Sequence, residues 1–120
     1  LSQHSLQFFE RTSYHDYDRH TDEMKRLQQD LGQNWAMMLR NHGVLVAGRD
    51  VSEAFQFTQR LEIACQVQVD AGGKNDLIYI KDEVARHSAE KYEQQGNSIG
   101  ARSWPAYLRK LDRMDPSYKD

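Results

Sequence analysis

Apolar residues recur at helical spacing along much of the chain, and the two clearest repeats lie in its first half. One extends from Thr21, a suitable N-cap residue, to Gly32, a typical helix stop. The other begins where Asp50 and Glu53 have the spacing of a capping box, and its apolar stripe is wide enough to predict burial on more than one side. The predicted inward positions are Met24, Leu27 and Leu31 on the first helix, and Val51, Ala54, Phe55, Thr58, Leu61, Cys65 and Val69 on the second, where Phe57, Ala64 and Val67 widen the stripe.

The pattern predicts two further helices in the second half of the chain. The first is DEVARHSAEKYEQQG, and the second covers about Ser103–Met114, where Pro105 is acceptable because it falls in the first turn. LIYIKDE is predicted to be extended, and the opening LSQHSLQFFERTSYHDYD to be a short helix followed by a loop. The predicted inward residues are Val84, Ala85, Ala89 and Tyr92 on the first helix, and Trp104, Tyr107, Leu108 and Leu111 on the second.

Two short apolar runs on either side of Asn-His-Gly predict a pair of buried strands. NWAMMLR and VLVAG are brief and bounded by turn residues, as is typical of strands buried on both faces. The chain contains no internal repeat, low-complexity tract or linker. We therefore expect a single domain.

The overall composition is polar for a compact unit, with 38% hydrophobic and 28% charged residues and a mean hydropathy of −0.88. It fits a helix-rich domain with solvated faces, or a part of a larger unit whose core another segment or subunit completes. A start at Leu1 instead of Met favours the second alternative.

Charge and cysteine content narrow the classes of function. A net charge of −2 and a pI near 6.2 give no electrostatic indication of nucleic-acid binding. No apolar run reaches the length of a membrane span, and the opening lacks the layout of a signal peptide. The single cysteine, Cys65, excludes an internal disulfide and fits a reducing cytoplasm. It lies on the apolar face of the long helix and is predicted to be a small core residue instead of a nucleophile.

HDYDRH contains four side chains of the types that bind divalent metals, namely His15, Asp16, Asp18 and His20. On a strand, His15 and Asp16 face opposite ways, and on a helix Asp16 pairs with His20 and leaves His15 aside. The spacing therefore favours a polar turn leading into the next helix. We expect no metal to bind this motif by itself.

His42 is the stronger candidate for a functional side chain. Neutral imidazole is a common metal ligand, and a histidine between two buried strands is held firmly in place. Gly43 permits a tight turn or the approach of a neighbouring group. Asn-His-Gly is also an ordinary hairpin turn, and the residues taken alone favour that interpretation. A catalytic metal site needs three protein ligands, and no His-x-His or Cys-x-x-Cys pair occurs in this chain.

The stretch MMLRNHGVLVAGRDVSEAFQFTQRLEIACQVQVDA carries a specific resemblance. Its order of apolar strand, Asn-His-Gly, Val-rich strand, V-x-E-A-F and L-E-x-A-C-x-x-Q closely resembles the class II aldolase/adducin family. The opening segment is similar to the family's approach to a Tyr-His-x-Tyr motif, and SWPAYLRKLDRMDPSYKD resembles the ending of adducin-like members.

The resemblance implies an α/β fold, a three-layer α/β/α sandwich around a central sheet, usually assembled as a homo-tetramer. Enzymes of this family are aldolases and epimerases of small sugar phosphates that use a divalent metal, typically zinc. The histidine of their His-Gly motif is a metal ligand, and that position here is His42. The metal acts as a Lewis acid that stabilises an enediolate.

Two departures from the family pattern weaken the expectation that this chain contains a complete metal-dependent active site. The family's His-x-His ligand pair, its acidic catalytic residue and its substrate-phosphate contacts have no match here, and Asp18-Arg19 replaces the common Glu-Gly after Tyr-His-x-Tyr. The resemblance thus describes residues 1–120 as the C-terminal portion of one class II aldolase/adducin-like domain, with few strands and several helices. We expect this portion to need the missing N-terminal portion for activity. A non-catalytic, adducin-like scaffold of the cytoskeleton is the alternative to an enzyme.

Overall fold

A computed structural model describes residues 2–16, 22–73, 76–96 and 98–119. None of the helices in these ranges is long and apolar enough to cross a membrane. The elements are α1 (Gln3–Leu6), β1 (Thr12–His15), α2 (Glu23–Leu31), β2 (Ala36–Leu39), β3 (Gly43–Val46), α3 (Val51–Ala71), α4 (Asp82–Gln95), α5 (Ser98–Met114) and a 3-10 helix (Pro116–Lys119).

The strands form one mixed sheet in the order β1–β2–β3. β1 lies parallel to β2, with Thr12 opposite Ala36 and His15 opposite Leu39. β2 and β3 are antiparallel and joined by a tight turn, so that Leu39 pairs with Gly43. The carboxyl ends of β1 and β2 therefore lie side by side, next to that turn.

Helices cover both faces of the sheet. Since side chains alternate along a strand, Ala36 and Met38 share one face of β2 while Met37 lies on the other. Ala36 is buried in a cluster with Phe8 and Leu61 of α3, whereas α2 packs against β1 and β2. Sheet and helices together form a partial α/β/α arrangement, which confirms the predicted fold class.

Aromatic side chains tie the helices to this core. The ring of Phe57 on α3 stacks on Trp35 with a centroid distance of 5.2 Å and meets Phe8 edge-on at 6.0 Å. On the far side of α3, Phe55 contacts Trp104 and Tyr107 of α5 at 5.4 and 4.9 Å. The prediction that α3 is covered on more than one side is confirmed.

The predicted start of the long helix is confirmed at the atomic level. Asp50 Oδ1 accepts a hydrogen bond from the backbone N–H of Glu53 at 2.9 Å, as an N-cap residue does. The Glu53 carboxylate accepts from the backbone N–H of Arg49, one residue earlier than a capping box requires. It also binds the Arg49 guanidinium at 2.7 Å, and this pair closes the loop before α3.

Three predictions about extended structure are wrong. Thr12–His15 form β1 where the sequence predicts a loop, because the strand depends on pairing with the distant β2 instead of on its own pattern. β3 is not a buried strand, since it lies at the sheet edge with Gly43 and Val44 exposed. LIYIKDE contains no strand, and its Ile78 side chain is 94% exposed.

Several predicted inward positions also face solvent. Met24, Val51 and Val69 are 80%, 70% and 74% exposed, Thr58 is exposed, and Val84 is about half exposed. The buried residues of α3 instead include the polar Ser52, Glu53 and Gln56, and the first two have local partners, since Ser52 bonds to Asp50 and Glu53 pairs with Arg49. Leu61, Ala85 and Ala89 are buried as predicted, so hydrophobic spacing predicted the helices and part of their buried faces. The predicted N-cap Thr21 lies outside the described residues.

The last helix begins earlier than predicted. α5 starts at Ser98, so Pro105 lies inside the helix and the prediction that it occupies the first turn is wrong. Proline has no N–H to donate to the preceding turn, which weakens a helix interior. Trp104 and Tyr107 flank this position and pack on Phe55, and this tertiary contact supports the helix across the proline.

Candidate functional site at the strand ends

The turn between β2 and β3 presents His42 to solvent. Asn41 has a φ of +54° and Gly43 one of +147°, conformations that asparagine and glycine tolerate better than most residues. The backbone N–H of His42 donates to the carbonyl of Leu39 at 3.1 Å, which closes the turn. His42 is thus the exposed tip of a turn, as the residues alone predict.

A pocket of about 190 Å³ lies beside this turn. It forms there because β1 and β2 are parallel and end together, and the N–H of Arg40 donates to the carbonyl of His15 at 3.0 Å. The lining residues are His15, Glu23, Leu27, Leu39, Arg40 and His42. We call it the strand-end pocket.

His15 is held between two carboxylates of α2, those of Glu23 and Asp30, an arrangement that we call the clamp. Its Nδ1 lies 2.7 Å from Asp30 Oδ2 and its Nε2 lies 2.7 Å from Glu23 Oε1, while only 3% of the residue is exposed. An imidazole that donates from both nitrogens carries a positive charge. The hydrogen bond to Glu23, and to a lesser extent the one to Asp30, raises the pKa of His15 above its ordinary value of 6.5. The strand-end pocket therefore has a charged histidine in its wall.

The prediction of a polar turn at HDYDRH is wrong for His15, which is the buried last residue of β1. Asp16 is exposed and pairs with the Arg40 guanidinium at 3.1 Å. The rest of the motif, residues 17–20, lies outside the described residues. A sequence signal for the clamp existed: Glu23 and Asp30 are seven residues apart, so both fall on one face of a helix.

The side chains around the strand-end pocket differ in whether they could bind a metal ion. The His42 imidazole makes no hydrogen bond to any described residue and points to an exposed site, so its lone pair fits a cation. Both nitrogens of His15 contact carboxylates, so neither is available to bind a metal ion. Within the described ranges, no group of three or more His, Cys, Asp or Glu residues is arranged to hold a metal ion. The described chain offers one ligand, not a complete site.

Cys65 does not belong to this pocket. It is half-buried against the cluster of Phe8, Ala36 and Leu61, and burial raises the pKa of its thiol. A raised pKa reduces the thiolate fraction and with it the nucleophilicity. This environment agrees with the predicted role as a core residue.

Sequence comparison decides the family. Residues 1–69 match the profile described as the Class II Aldolase and Adducin N-terminal domain. The chain belongs to the class II aldolase and adducin family. A putative aldolase class 2 protein of Caulobacter vibrioides is 39% identical over all of this chain, and rat alpha-adducin is 30% identical over 85% of it. These matches cover 49% and 16% of the two relatives, so the chain spans about half the length of the first and less of the second.

Solved structures of this family share the fold. An aldolase II superfamily protein from Pseudomonas syringae superposes with a TM-score of 0.88 at 38% identity, covering 99% of this chain and 50% of that one. The L-fuculose 1-phosphate aldolase of Glaciozyma antarctica gives a TM-score of 0.73 at 25% identity, covering 97% and 44%. The α/β fold of class II aldolases is therefore present, in part, in this chain.

Proposed function

We propose that this chain is the C-terminal portion of a metal-dependent, aldolase-like protein in which His42 is one ligand of a divalent cation, typically zinc. The observation that carries the proposal is the exposed, uncommitted imidazole of His42 at the rim of the strand-end pocket. Family membership supports it, because class II aldolases are generally metal-dependent. The proposed reaction is aldol cleavage or epimerisation of a small sugar phosphate.

The residues of this chain have defined parts in that proposal. A bound divalent metal would supply Lewis-acid stabilisation of an enediolate. His42 would hold the cation, and the clamped His15 would keep the carboxyl end of β1 and its neighbour Arg40 in place. Rigid support of this kind keeps a ligand within the small tolerance that a catalytic site needs.

The same pocket needs contributions from elsewhere. Among the described residues around it, Asp16, Glu23 and Asp30 offset the positive charges of Arg40 and His15, so no surplus charge remains for a substrate phosphate. We propose that the remaining metal ligands and the phosphate contacts come from the part of the protein that corresponds to the uncovered half of its relatives. A homo-oligomer, such as the tetramer that the resemblance implies, and a cytoplasmic location complete the proposal.

The metal content of the full-length protein tests the assignment of His42. We expect about one divalent ion per chain in the wild type and a loss of most of it in His42→Ala. The measurement is elemental analysis of purified, dialysed protein. His87→Ala, an exposed histidine on α4, is the matched control and should retain the metal. Because His42 is exposed, circular dichroism should show the same helix content in both variants.

Unchanged metal content in His42→Ala would refute the ligand assignment. Aldehyde release from L-fuculose 1-phosphate and related sugar phosphates then tests the activity, with loss expected in His42→Ala and not in His87→Ala.

An adducin-like scaffold is the second candidate function. It is favoured by the 30% identity to alpha-adducin over 85% of the chain. A scaffold requires no cation in the strand-end pocket. Metal-free full-length protein without cleavage activity would favour this alternative.

A further inference from the structure

A second polar site lies where α1, α3 and α4 meet. A cavity of about 20 Å³, large enough for one water-sized group, is lined by Gln7, Arg60 and Tyr92 among others. No described residue lines both this cavity and the strand-end pocket. The site is therefore separate from the proposed metal ligand.

Two side chains that line this cavity each have a buried donor without a partner. Gln7 is 1% exposed, and its Oε1 accepts from Arg60 Nη1 at 2.7 Å. Its Nε2 and the Nε of Arg60 are both buried without a hydrogen-bond partner. Exchanging the oxygen and nitrogen of the Gln7 amide would place one donor against another at Arg60, so this orientation is fixed. Two unsatisfied buried donors require an acceptor.

The charge of Arg60 is also uncompensated. Its guanidinium lies over the ring of Tyr92 at 5.4 Å and binds the neutral Gln7, and no described carboxylate pairs with it. Among the described residues that line the cavity, the one carboxylate is Glu53, and it is already paired with Arg49. A partly buried guanidinium without a counter-charge favours an anion over a neutral acceptor.

Arg60 and Tyr92 also line an open cleft on the outer side. Lys91 lies in that cleft, and none of its described lining residues is acidic. The other lining residues are Gln3, Ser88 and Gln95. In a chain with a net charge of −2, this combination is a local positive site.

We propose that Gln7, Arg60 and Lys91 bind an oxyanion, the phosphate or carboxylate group of a small molecule. One oxygen accepts from Gln7 Nε2 and Arg60 Nε, and Lys91 balances the remaining charge from the cleft. A single water would satisfy the two donors but would leave the charge of Arg60 unbalanced. An anion therefore differs from a structural water because it also balances the charge of Arg60, and a binding measurement in solution can test this difference.

Isothermal titration calorimetry of the full-length protein tests the site. Sodium phosphate and sodium acetate are titrated separately, at constant ionic strength in sodium chloride. We expect saturable binding to the wild type, at least about tenfold weaker binding to Arg60→Met, and about threefold weaker binding to Lys91→Gln. Methionine keeps apolar contact with Tyr92, and Arg109→Met, an exposed arginine of α5, is the matched control with unchanged binding.

The two anions identify the ligand class. Tighter phosphate binding identifies a phosphate site, and equal or tighter acetate binding identifies a carboxylate site. Repeating the titrations in His42→Ala removes any contribution from the strand-end pocket, and binding there should persist.

No saturable binding of either anion, or equal binding by Arg60→Met and wild type, would overturn the proposal in favour of a buried water. If circular dichroism shows Arg60→Met to be unfolded, the exposed Lys91→Gln decides alone, and unchanged affinity in that variant contradicts the proposal.

Discussion

The two histidines of the strand-end pocket have opposite environments. His15 is buried and binds a carboxylate with each nitrogen, whereas His42 is exposed on a turn and makes no hydrogen bond to a described residue. A clamped imidazole is a structural cation, and an unclamped one is available as a ligand. Residue type alone does not distinguish these roles, because both are histidines in short motifs.

The clamp predicts how His15 titrates. Because the pKa of His15 is raised in the folded protein, the contact of its charged imidazole with the two carboxylates stabilises the fold fully at pH values below the unfolded-state pKa of 6.5. This stabilisation is lost as the pH rises through the folded pKa. We therefore expect the stability advantage of wild type over His15→Gln to be largest at acidic pH and to shrink above neutrality, as measured by urea unfolding at a series of pH values.

An NMR titration of the His15 ring checks the cause. Glu23→Gln removes the negative charge beside His15 Nε2 and should lower the midpoint toward 6.5, while Glu90→Gln, an exposed glutamate of α4, should not. A wild-type midpoint at or below 6.5 contradicts the charged clamp.

Among the elements, the longer helices and the strands β2 and β3 were predicted from local patterns, whereas β1 was not. The long helix α3 begins at its predicted cap, since Asp50 and Glu53 are only three residues apart and bond directly. β1 exists because Thr12–His15 pair with β2, which is distant in the sequence. A four-residue strand has too few positions for a hydrophobic period to show, so its formation depends on the partner.

The N-cap of α3 provides a stability test. Asp50 Oδ1 accepts from the N–H of Glu53 at 2.9 Å and from Ser52 Oγ at 2.7 Å. Asp50→Ala should lower the free energy of unfolding of the full-length protein by about 1 kcal/mol, because a helix-end N–H loses its acceptor. Asp50→Asn keeps an acceptor oxygen and should recover most of the loss. Equal destabilisation by both substitutions, measured by urea unfolding, would contradict capping as the cause.

The whole molecule exposes more surface than a compact monomer of its size. Its accessible surface is 8884 Å², against about 6700 Å² for a folded protein of this mass. Its radius of gyration is 16.5 Å, against about 14 Å for 120 residues. Exposed apolar side chains contribute to this surface, and the most exposed of those described are Ile78, Met24, Val69, Tyr79, Val51 and Met114.

This surface predicts the behaviour of the 120-residue chain by itself. We expect it to self-associate or to unfold without a sharp thermal transition, because a small core competes with a large exposed apolar area. Light scattering and calorimetry measure both properties. Val69→Gln, on the exposed face of α3, should reduce association, and Gln68→Asn next to it should not. A monomer with a sharp transition would contradict this expectation.

The sequence by itself determined the family, the four longer helices, the cap at Asp50 and the turn that carries His42. These features depend on residues within a few positions of one another, so their cause is visible in a local pattern. Only the tertiary structure decided that His15 is clamped by α2, that Arg60 meets Gln7 fifty-three residues away, and that the polar Ser52, Glu53 and Gln56 of α3 are buried. Those contacts join distant segments, and their geometry follows from how the sheet and helices pack, which no local period encodes.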